Sequence, residues 1–433
     1  MGRKLNFIVL AILVVISLWF GSEYEVVENA PSIDTGDTAW MIVASAFVLL
    51  MTPGLAFFYG GMVSKKSVIS TMLQSFVALG VISVLWVIVG FSLAFGDSFY
   101  GVIGNPLTYF NFNGVTVSPN PDFSATIPFL LFALFQLKFA IITPALITGS
   151  FAERIRFRSY ILFMVLFSLI IYCPLAHMTW HPDGLFRNWG VLDFAGGTVV
   201  HMSAGFATLA GAMYLGKRKR KIEKPANIPF VILGTGLLWF GWFGFNSGSA
   251  LGANTDAVIA FANTNLASAT SMISWIFLDR MRNRKMSSLG ACIGAIVGLV
   301  AITPAAGFVT LSQSIFIGFI AAIVSNYAIQ LHKKTEIDDT LDVFPSHGVG
   351  GIVGMLLTGV LANGVGLIHG ETTTFLYHLL TLVLVTVFTF GGSLLLYKIT
   401  DILLPLRVRE DQKTRSTEDL TLHSMAKTLI LRS

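Results

Sequence analysis

Two histidines lie in apolar stretches of the chain, where an ionisable side chain is unusual. His201 follows Asp193 by eight residues, and His347 follows Asp342 by five. An ionisable side chain at membrane depth is costly and usually lines a pathway or pairs with another group. Because imidazole can donate at one nitrogen and accept at the other, two of them can pass a proton or hold a small donor. We therefore expect one site built from both halves of the chain.

The residue types also permit a structural or a metal-binding role for these histidines. A lone membrane histidine is equally consistent with a hydrogen bond that holds two helices together. Two histidines at related positions favour the pathway. Zinc is a third possibility, but no thiol or carboxylate stands close in sequence to complete a ligand shell, so no metal is expected. No nucleophile–base pair emerges either, and the sequence predicts neither an enzyme nor a cofactor.

The composition places these histidines in a membrane protein. Of the 433 residues, 54% are hydrophobic and only 12% are charged, and the mean hydropathy is +0.75. Soluble domains carry roughly 25% charged residues. The charge content is therefore that of a chain embedded in a bilayer.

Apolar stretches of about twenty residues, long enough to cross the hydrocarbon core, recur along the chain. They predict an all-α membrane protein with eleven transmembrane helices. The spans are 38–63, 68–96, 126–150, 160–178, 194–216, 228–250, 257–278, 287–304, 312–332, 343–362 and 373–404.

The two ends of the chain are predicted to lie outside this membrane domain of residues 38–405. Residues 1–22 combine Arg3 and Lys4 with a short apolar run and the small residues Gly21 and Ser22, a pattern typical of a signal peptide. An additional N-terminal helix is the alternative. Residues 406–433 are predicted to form a cytoplasmic C-terminal tail.

Basic residues set the predicted orientation, because cytoplasmic loops are enriched in Lys and Arg. With the N-terminus outside, the loops placed in the cytoplasm carry nearly all the basic residues, and the opposite loops carry only Arg187. This distribution indicates a multi-pass protein of the inner (plasma) membrane with its C-terminus in the cytoplasm. It also accounts for the net charge of +5 without a nucleic-acid partner.

A weak internal symmetry is readable between the two halves. The glycine-rich end of the first span resembles the run Gly241–Gly248 in the sixth, and the fifth and tenth spans each follow a Leu-Asp pair and carry a histidine. These pairs run in opposite directions through the membrane. The pattern predicts a five-plus-five inverted repeat followed by a long eleventh helix, with the substrate site at the interface of the repeats.

Several further side chains could contribute to a cation site. Asp193 precedes a predicted helix, where a carboxylate is stabilised by free amide groups; direct attraction of a cation is the alternative. Trp180 and Trp242 lie near span ends, where interfacial tryptophans are common, but aromatic faces also bind desolvated cations. Ser249 follows Phe245 by four residues, on the same helix face. Lys138 would repel a cation and is expected to point away from the pathway.

Together these segments resemble the ammonium transporter family (Amt/Mep/Rh), and within it the Amt/Mep branch more than the Rh branch. The matching motifs occur in order over residues 38–405. They are Phe57–Gly61, Phe135–Ile147, Ala152–Phe157, Ala176–Trp180, Leu192–His201, Gly241–Ser249 and Asp342–Gly351.

The resemblance implies a homotrimer in which each subunit encloses a pore. It implies an outer ammonium site at Trp180, Ser249 and Phe139, followed by a gate of the stacked rings of Phe139 and Phe245. Below the gate, His201 and His347 would form a twin-histidine pair that lines the pore. Residues with a structural role near this site would be Asp193, Trp242, Phe135 and Gln136.

The physical argument agrees with these implications. A dry apolar pore imposes a heavy penalty on any ion. Ammonium bound at the outer site would cross as neutral ammonia, with its proton moved separately through the histidines. An ion that cannot lose a proton, such as potassium, would be rejected.

Parts of the sequence depart from the family pattern. Residues 181–189 replace a glycine-rich stretch, and His181 and Asp183 could change the vestibule. The tail has Ser424 after His423, where the family has glycine and glutamate, and this departure disfavours docking of a PII-type regulatory protein. An ammonium sensor with the same fold and little or no transport is the second functional hypothesis.

Overall fold

The computed structural model describes residues 11, 15, 26–28, 30–218 and 224–408. Within this part of the chain, eleven long helices are numbered α1 to α11. Their bounds are α1 Thr35–Met62, α2 Lys65–Phe95, α3 Phe129–Phe151, α4 157–180, α5 Gly197–Leu215, α6 Ile228–Ala250, α7 Thr255–Met281, α8 Ser288–Ile302, α9 Leu311–His332, α10 Phe344–Leu361 and α11 Thr372–Leu403.

The predicted eleven-helix membrane fold is confirmed, and each predicted span ends within three residues of a helix end. Nine helices of the described chain are long and apolar enough to cross a membrane. The other two are α8, which has 15 residues, and α7, which turns buried polar residues such as Asn263 and Ser268 toward the interior. The signal-peptide prediction falls on residues 1–22, of which only 11 and 15 are described.

The inverted repeat is visible in two antiparallel helix pairs. Helix α1 packs along α6, and glycines allow this close approach: a Cβ on Gly244 would lie 2.6 Å from the carbonyl oxygen of Ala44, and one on Gly234 would lie 2.3 Å from the amide of Phe58. Helix α5 crosses α10 at a second pair, where a Cβ on Gly205 would lie 2.3 Å from the Cα of Gly348. Small residues permit such contacts between membrane helices.

Four helices contain π-helical turns, at Trp86–Gly90, Ser168–Tyr172, Gly197–Met202 and Phe344–Gly348. The last two turns form the first residues of α5 and α10, and they carry His201 and His347 respectively. π-helical turns are rare and occur frequently at functional sites. The repeat therefore places each histidine in the same local structure.

One end of the bundle is covered by the α2–α3 connection, which contains two short antiparallel hairpins. Strands β1 Ser98–Phe99 and β2 Ile103–Gly104 form the first, and β3 Pro119–Asn120 and β4 Ser124–Pro128 form the second. A large aromatic cluster beneath them includes Phe91, Phe95 and Phe129. This cluster anchors the loop over the N-terminal part of α3.

The opposite end carries the basic loops and is called the basic end here. Arg154, which is buried, donates to the carbonyl oxygens of Ser150, Gly216 and Asp338 and so joins three connections. Burial lowers the pKa of Arg154 to about 10, against the opposing effect of Asp338. Of the predicted tail 406–433, only residues 406–408 are described. Arg407 donates to the carbonyls of Leu215 and Lys217, at the end of α5.

Candidate functional site

Asp193 caps the π-helical turn that carries His201. One carboxylate oxygen accepts from the amides of Gly196 at 2.8 Å and Gly197 at 2.6 Å. The other accepts from the amide and hydroxyl of Thr198, at 2.8 Å and 2.5 Å. Gly196 has a φ of +115°, which a residue with a side chain rarely adopts. Burial raises the pKa of Asp193, and these four hydrogen bonds act in the opposite direction.

The second turn is capped by Asp339, not by Asp342 as the Leu-Asp pairs suggest. The Asp339 carboxylate accepts from the amide of Phe344 at 2.7 Å, whereas Asp342 lies in the left-handed region with a φ of +55° and faces Lys333 at 3.9 Å. Asp339 precedes His347 by eight residues, the same interval that separates Asp193 from His201. The two Leu-Asp pairs therefore do not hold equivalent carboxylates, and the eight-residue interval does.

The two histidines meet inside the bundle. The Nδ1 atoms of His201 and His347 lie 3.3 Å apart, and both residues are buried. Since two like atoms share this contact, one ring donates and the other accepts. The Nε2 atom of His201 is buried and has no hydrogen-bond partner in the described chain.

Hydropathy alone predicts that His201 lies in the outer half of its span and that His347 lies near the inner start of its own. This predicted difference in depth is wrong, because the two rings are in contact. It assumes that a helix starts at the membrane surface. The segment before α5 instead lines a cavity, with Leu192, Asp193 and Phe194 in its wall. Helix α5 thus starts at a recess, and the crossing at Gly205 and Gly348 brings the two π-helical turns together.

Aromatic rings cover the histidine pair on one side. Trp242 stacks on His201 with ring centroids 5.3 Å apart and donates from its indole nitrogen to Thr303 at 2.9 Å. Phe245 lies 6.0 Å from His201 and 4.2 Å from Phe139, centroid to centroid. Both phenylalanines are fully buried, with exposed fractions of 0% and 1%. The order of contacts is therefore Phe139, Phe245, His201, His347.

A cavity of about 480 Å³ lies beyond these rings, at the end opposite the basic loops. Trp180, Ser249, Phe139 and Gln136 all contribute to its wall. The Ser249 hydroxyl donates to the carbonyl of Phe245 at 2.9 Å, which leaves its oxygen lone pairs free to accept. Trp180 donates to the carbonyl of Asp193 at 3.1 Å, so its ring is fixed at the edge of the cavity.

Two neighbours on α3 have different positions. Phe135 does not line the cavity; it packs against Phe139 in an edge contact, with centroids 5.0 Å apart. Lys138 is half-buried and also absent from the wall, as expected of a cation that points away from the pathway. Neither side chain blocks the cavity.

A second, much smaller cavity of about 10 Å³ lies on the other side of the histidines. His347, Ser346, Tyr59 and Ile296 are among the residues in its wall. The hydroxyl of Tyr59 donates to the carbonyl of Leu146 at 2.9 Å, so its position is fixed. The histidine pair therefore separates a large cavity from a small one.

Sequence reasoning missed three residues of this arrangement. The eight-residue interval between Asp339 and His347 was a usable signal for the second cap. Thr179 and Arg187 also line the large cavity; the only sequence signal for Thr179 was its position next to Trp180. Among the described residues, no group of His, Cys, Asp and Glu is arranged to hold a metal ion.

Comparisons with known proteins identify the family. A model of the Ammonium Transporter Family matches residues 39–427. An ammonium transporter of Aquifex aeolicus (strain VF5) is 49% identical over 363 residues, which cover 83% of each chain. The crystal structure of Saccharomyces cerevisiae Mep2 matches with a TM-score of 0.82 at 36% identity over 88% of each chain. A structure described as a sensor Amt protein matches with a TM-score of 0.82 at 30% identity, over 88% of this chain and 96% of the other. The chain belongs to the Ammonium Transporter Family.

Proposed function

We propose that this protein transports ammonium across a membrane by binding the cation in the large cavity and conducting ammonia past the twin histidines. One observation carries the proposal: the cavity, the ring pair of Phe139 and Phe245, and the pair of His201 and His347 form one continuous line of contacts. The relatives named as ammonium transporters support the substrate, and their names support a transporter over an enzyme.

Recruitment of the cation takes place in the large cavity. The faces of Trp180 and Phe139 attract a desolvated cation through their ring quadrupoles. Ser249 adds an oxygen that can accept, because its own proton is directed to the carbonyl of Phe245. An ammonium ion, with four N–H donors, matches this combination of ring faces and a hydroxyl oxygen.

The ring pair then favours the neutral species. The rings of Phe139 and Phe245 lie 4.2 Å apart and are fully buried, so passage requires them to move and excludes bulk water. A charge transferred into such surroundings without paired groups is strongly disfavoured. Ammonia crosses without this penalty after ammonium has released its proton.

The histidine pair supplies polar contacts inside the apolar path. One Nδ1 donates to the other across 3.3 Å, so His201 can take up the ammonium proton at Nε2 and pass its Nδ1 proton to His347, which then releases a proton from its own Nε2. The unpartnered Nε2 of His201 is available for a hydrogen bond with ammonia. The separate proton and the neutral molecule together account for ammonium movement without passage of an intact ion.

The test is the simultaneous replacement His201→Ala and His347→Ala in liposomes that contain the purified protein. We expect ammonium-evoked current to lose its selectivity over potassium, because the path would no longer require deprotonation. His369→Ala, a histidine on the surface of the described chain, is the control and keeps the selectivity. Undiminished ammonium selectivity in the double variant would refute the twin-histidine mechanism.

A sensor that binds ammonium with little or no transport is the second candidate function. The likeness to a sensor Amt protein favours it, as does the closed contact between Phe139 and Phe245. The same liposomes decide between the two. Ammonium binding without flux in the unmodified protein would favour the sensor, and current would favour the transporter.

The assembly and location of the protein are part of the same proposal. Large apolar side chains such as Ile232, Phe240, Phe261 and Phe316 are exposed on the outer faces of α6, α7 and α9, which suits contact with lipid or with other subunits of a homotrimer. We place the protein in the plasma (inner) membrane with the basic end and C-terminus in the cytoplasm. Native mass spectrometry tests the trimer, and protease access to the tail in sealed vesicles tests the orientation.

A further inference from the structure

Thr179 differs from the buried threonines of the membrane helices whose hydroxyl bonds the backbone of their own helix. Six of these return their hydroxyl to the carbonyl four residues earlier, and they are Thr143, Thr235, Thr264, Thr303, Thr358 and Thr400. Thr179 is only 5% exposed, yet its hydroxyl oxygen has no hydrogen-bond partner within the described residues. Leaving a buried hydroxyl unpaired is costly, so this group is expected to have a partner during function.

The position of Thr179 indicates which partner that is. It lies next to Trp180 at the end of α4, and it lines the large cavity together with Ser249 and Gln136. Thr208, Thr381 and Thr389 also have buried hydroxyls without a partner, but none of them lines either cavity. Among the buried, unpaired threonine hydroxyls of the described chain, that of Thr179 alone belongs to the site where the substrate is proposed to bind.

We propose that Thr179 is a further substrate-binding residue, whose hydroxyl oxygen accepts a hydrogen bond from the ammonium ion. This inference rests on the proposed function, since it assigns an additional ligand to the same cavity. An ammonium ion has four N–H donors, and ring faces and one serine oxygen leave donors to be satisfied. A second hydroxyl oxygen strengthens binding of a cation that donates hydrogen bonds, because hydrogen bonds to charged groups are stronger than neutral ones.

The substitution Thr179→Val tests this role, because valine keeps the shape of threonine and removes the hydroxyl. Two readouts are used on the full-length protein: the half-saturating ammonium concentration for current in liposomes, and equilibrium ammonium binding by calorimetry. We expect both affinities to fall about tenfold, with maximal current retained. Thr179→Ser restores the hydroxyl and is expected to bind within about twofold of the unmodified protein.

Thr389→Val is the matched control, since it removes another buried and unpaired hydroxyl at a site outside both cavities. Its affinity for ammonium is expected to equal that of the unmodified protein. The inference is overturned when Thr179→Val binds ammonium as tightly as the control, or when Thr179→Ser loses as much affinity as Thr179→Val. Failure of the transport proposal gives a different result: the unmodified protein then carries no ammonium current. The calorimetric comparison of the variants still tests the role of Thr179 in that case.

Discussion

The two π-helical turns that carry the histidines have the same length of chain between cap and histidine, but their caps are held very differently. Asp193 accepts four hydrogen bonds from Gly196, Gly197 and Thr198. Asp339 accepts from the amide of Phe344 at 2.7 Å, and its neighbour in sequence, Asp338, is bound by arginines. The Asp193 turn is therefore held by hydrogen bonds within its own segment, whereas the Asp339 turn adjoins a residue that is bound by arginines from other loops.

The difference between the two caps corresponds to their positions, one beside the large cavity and the other beside the basic end. Asp193 and its neighbours Leu192 and Phe194 form part of the wall of the large cavity, and the hydrogen bonds of Asp193 fix the backbone there. The Asp339 turn lies beside Asp338, which receives a bidentate contact from Arg218, with Nη2 to Oδ1 at 2.7 Å, and lies 3.8 Å from Arg154. The repeat thus supplies the same cap twice, and the surroundings make one turn rigid and couple the other to the basic loops.

The largest expected difference between the two turns is in the stability lost when the capping aspartate of each is replaced. Asp193→Ala leaves three buried amides and a hydroxyl without an acceptor and should destabilise the protein by roughly 3–5 kcal/mol. Asp339→Ala should cost about 1–2 kcal/mol, as for an ordinary helix cap. Thermal unfolding in detergent measures both, with the exposed Asp183→Ala as control. Equal losses for the two caps would show that the additional hydrogen bonds of Asp193 contribute nothing.

A second difference between the caps is expected in their pH dependence. Burial raises the pKa of Asp339 to about 6, against the hydrogen bonds from Phe344 and Val343. Since the folded pKa exceeds the unfolded value, the folded protein takes up the proton first as pH falls. The stability from this group is therefore present at low pH and lost as pH rises through about 6.

The substitution Asp339→Asn isolates that effect, because asparagine keeps an acceptor and does not titrate. As pH falls from about 7.5 to about 4.5, the unmodified protein should gain about 2 kcal/mol relative to the variant. Asp342, whose pKa burial and the nearby charge of Asp339 raise to about 6, is replaced by Asn in both proteins so that it does not titrate. A difference in melting temperature that does not change with pH would contradict the assignment.

The helices could be predicted from the sequence because a bilayer leaves little choice. Each backbone polar group in the hydrocarbon must be satisfied within its own helix, so an uncharged run of about twenty residues becomes a span. For the same reason, the span limits agree with the helix ends. What hydropathy cannot show is a helix that begins at a recess, and it therefore placed His201 and His347 at different depths.

The site could be predicted only where residue type restricts the possibilities. Histidines and tryptophans in apolar segments are uncommon and drew attention to His201, His347 and Trp180. Threonine is tolerated anywhere in a membrane helix because it can bond its own backbone, so only the position next to Trp180 marks Thr179. The cap at Asp339 was missed because Leu341–Asp342 has the same residue types as Leu192–Asp193. The distance from Asp342 to His347, however, is five residues instead of eight.

The smallest expected effect tests whether the second turn is coupled to the basic end. Asp338→Asn weakens the contacts with Arg218 and Arg154 and should cost about 1–2 kcal/mol, since the group is 15% exposed and hydrogen-bonded. Because Asp338 adjoins the cap of His347 and lies away from the large cavity, the maximal ammonium current should fall while the half-saturating concentration stays unchanged. Glu336→Gln removes the neighbouring ion pair with Lys217, which is exposed, and should change neither quantity. An altered half-saturating concentration in Asp338→Asn would mean that the two ends are coupled through the binding site itself, and that the division between a rigid turn and a connected one is wrong.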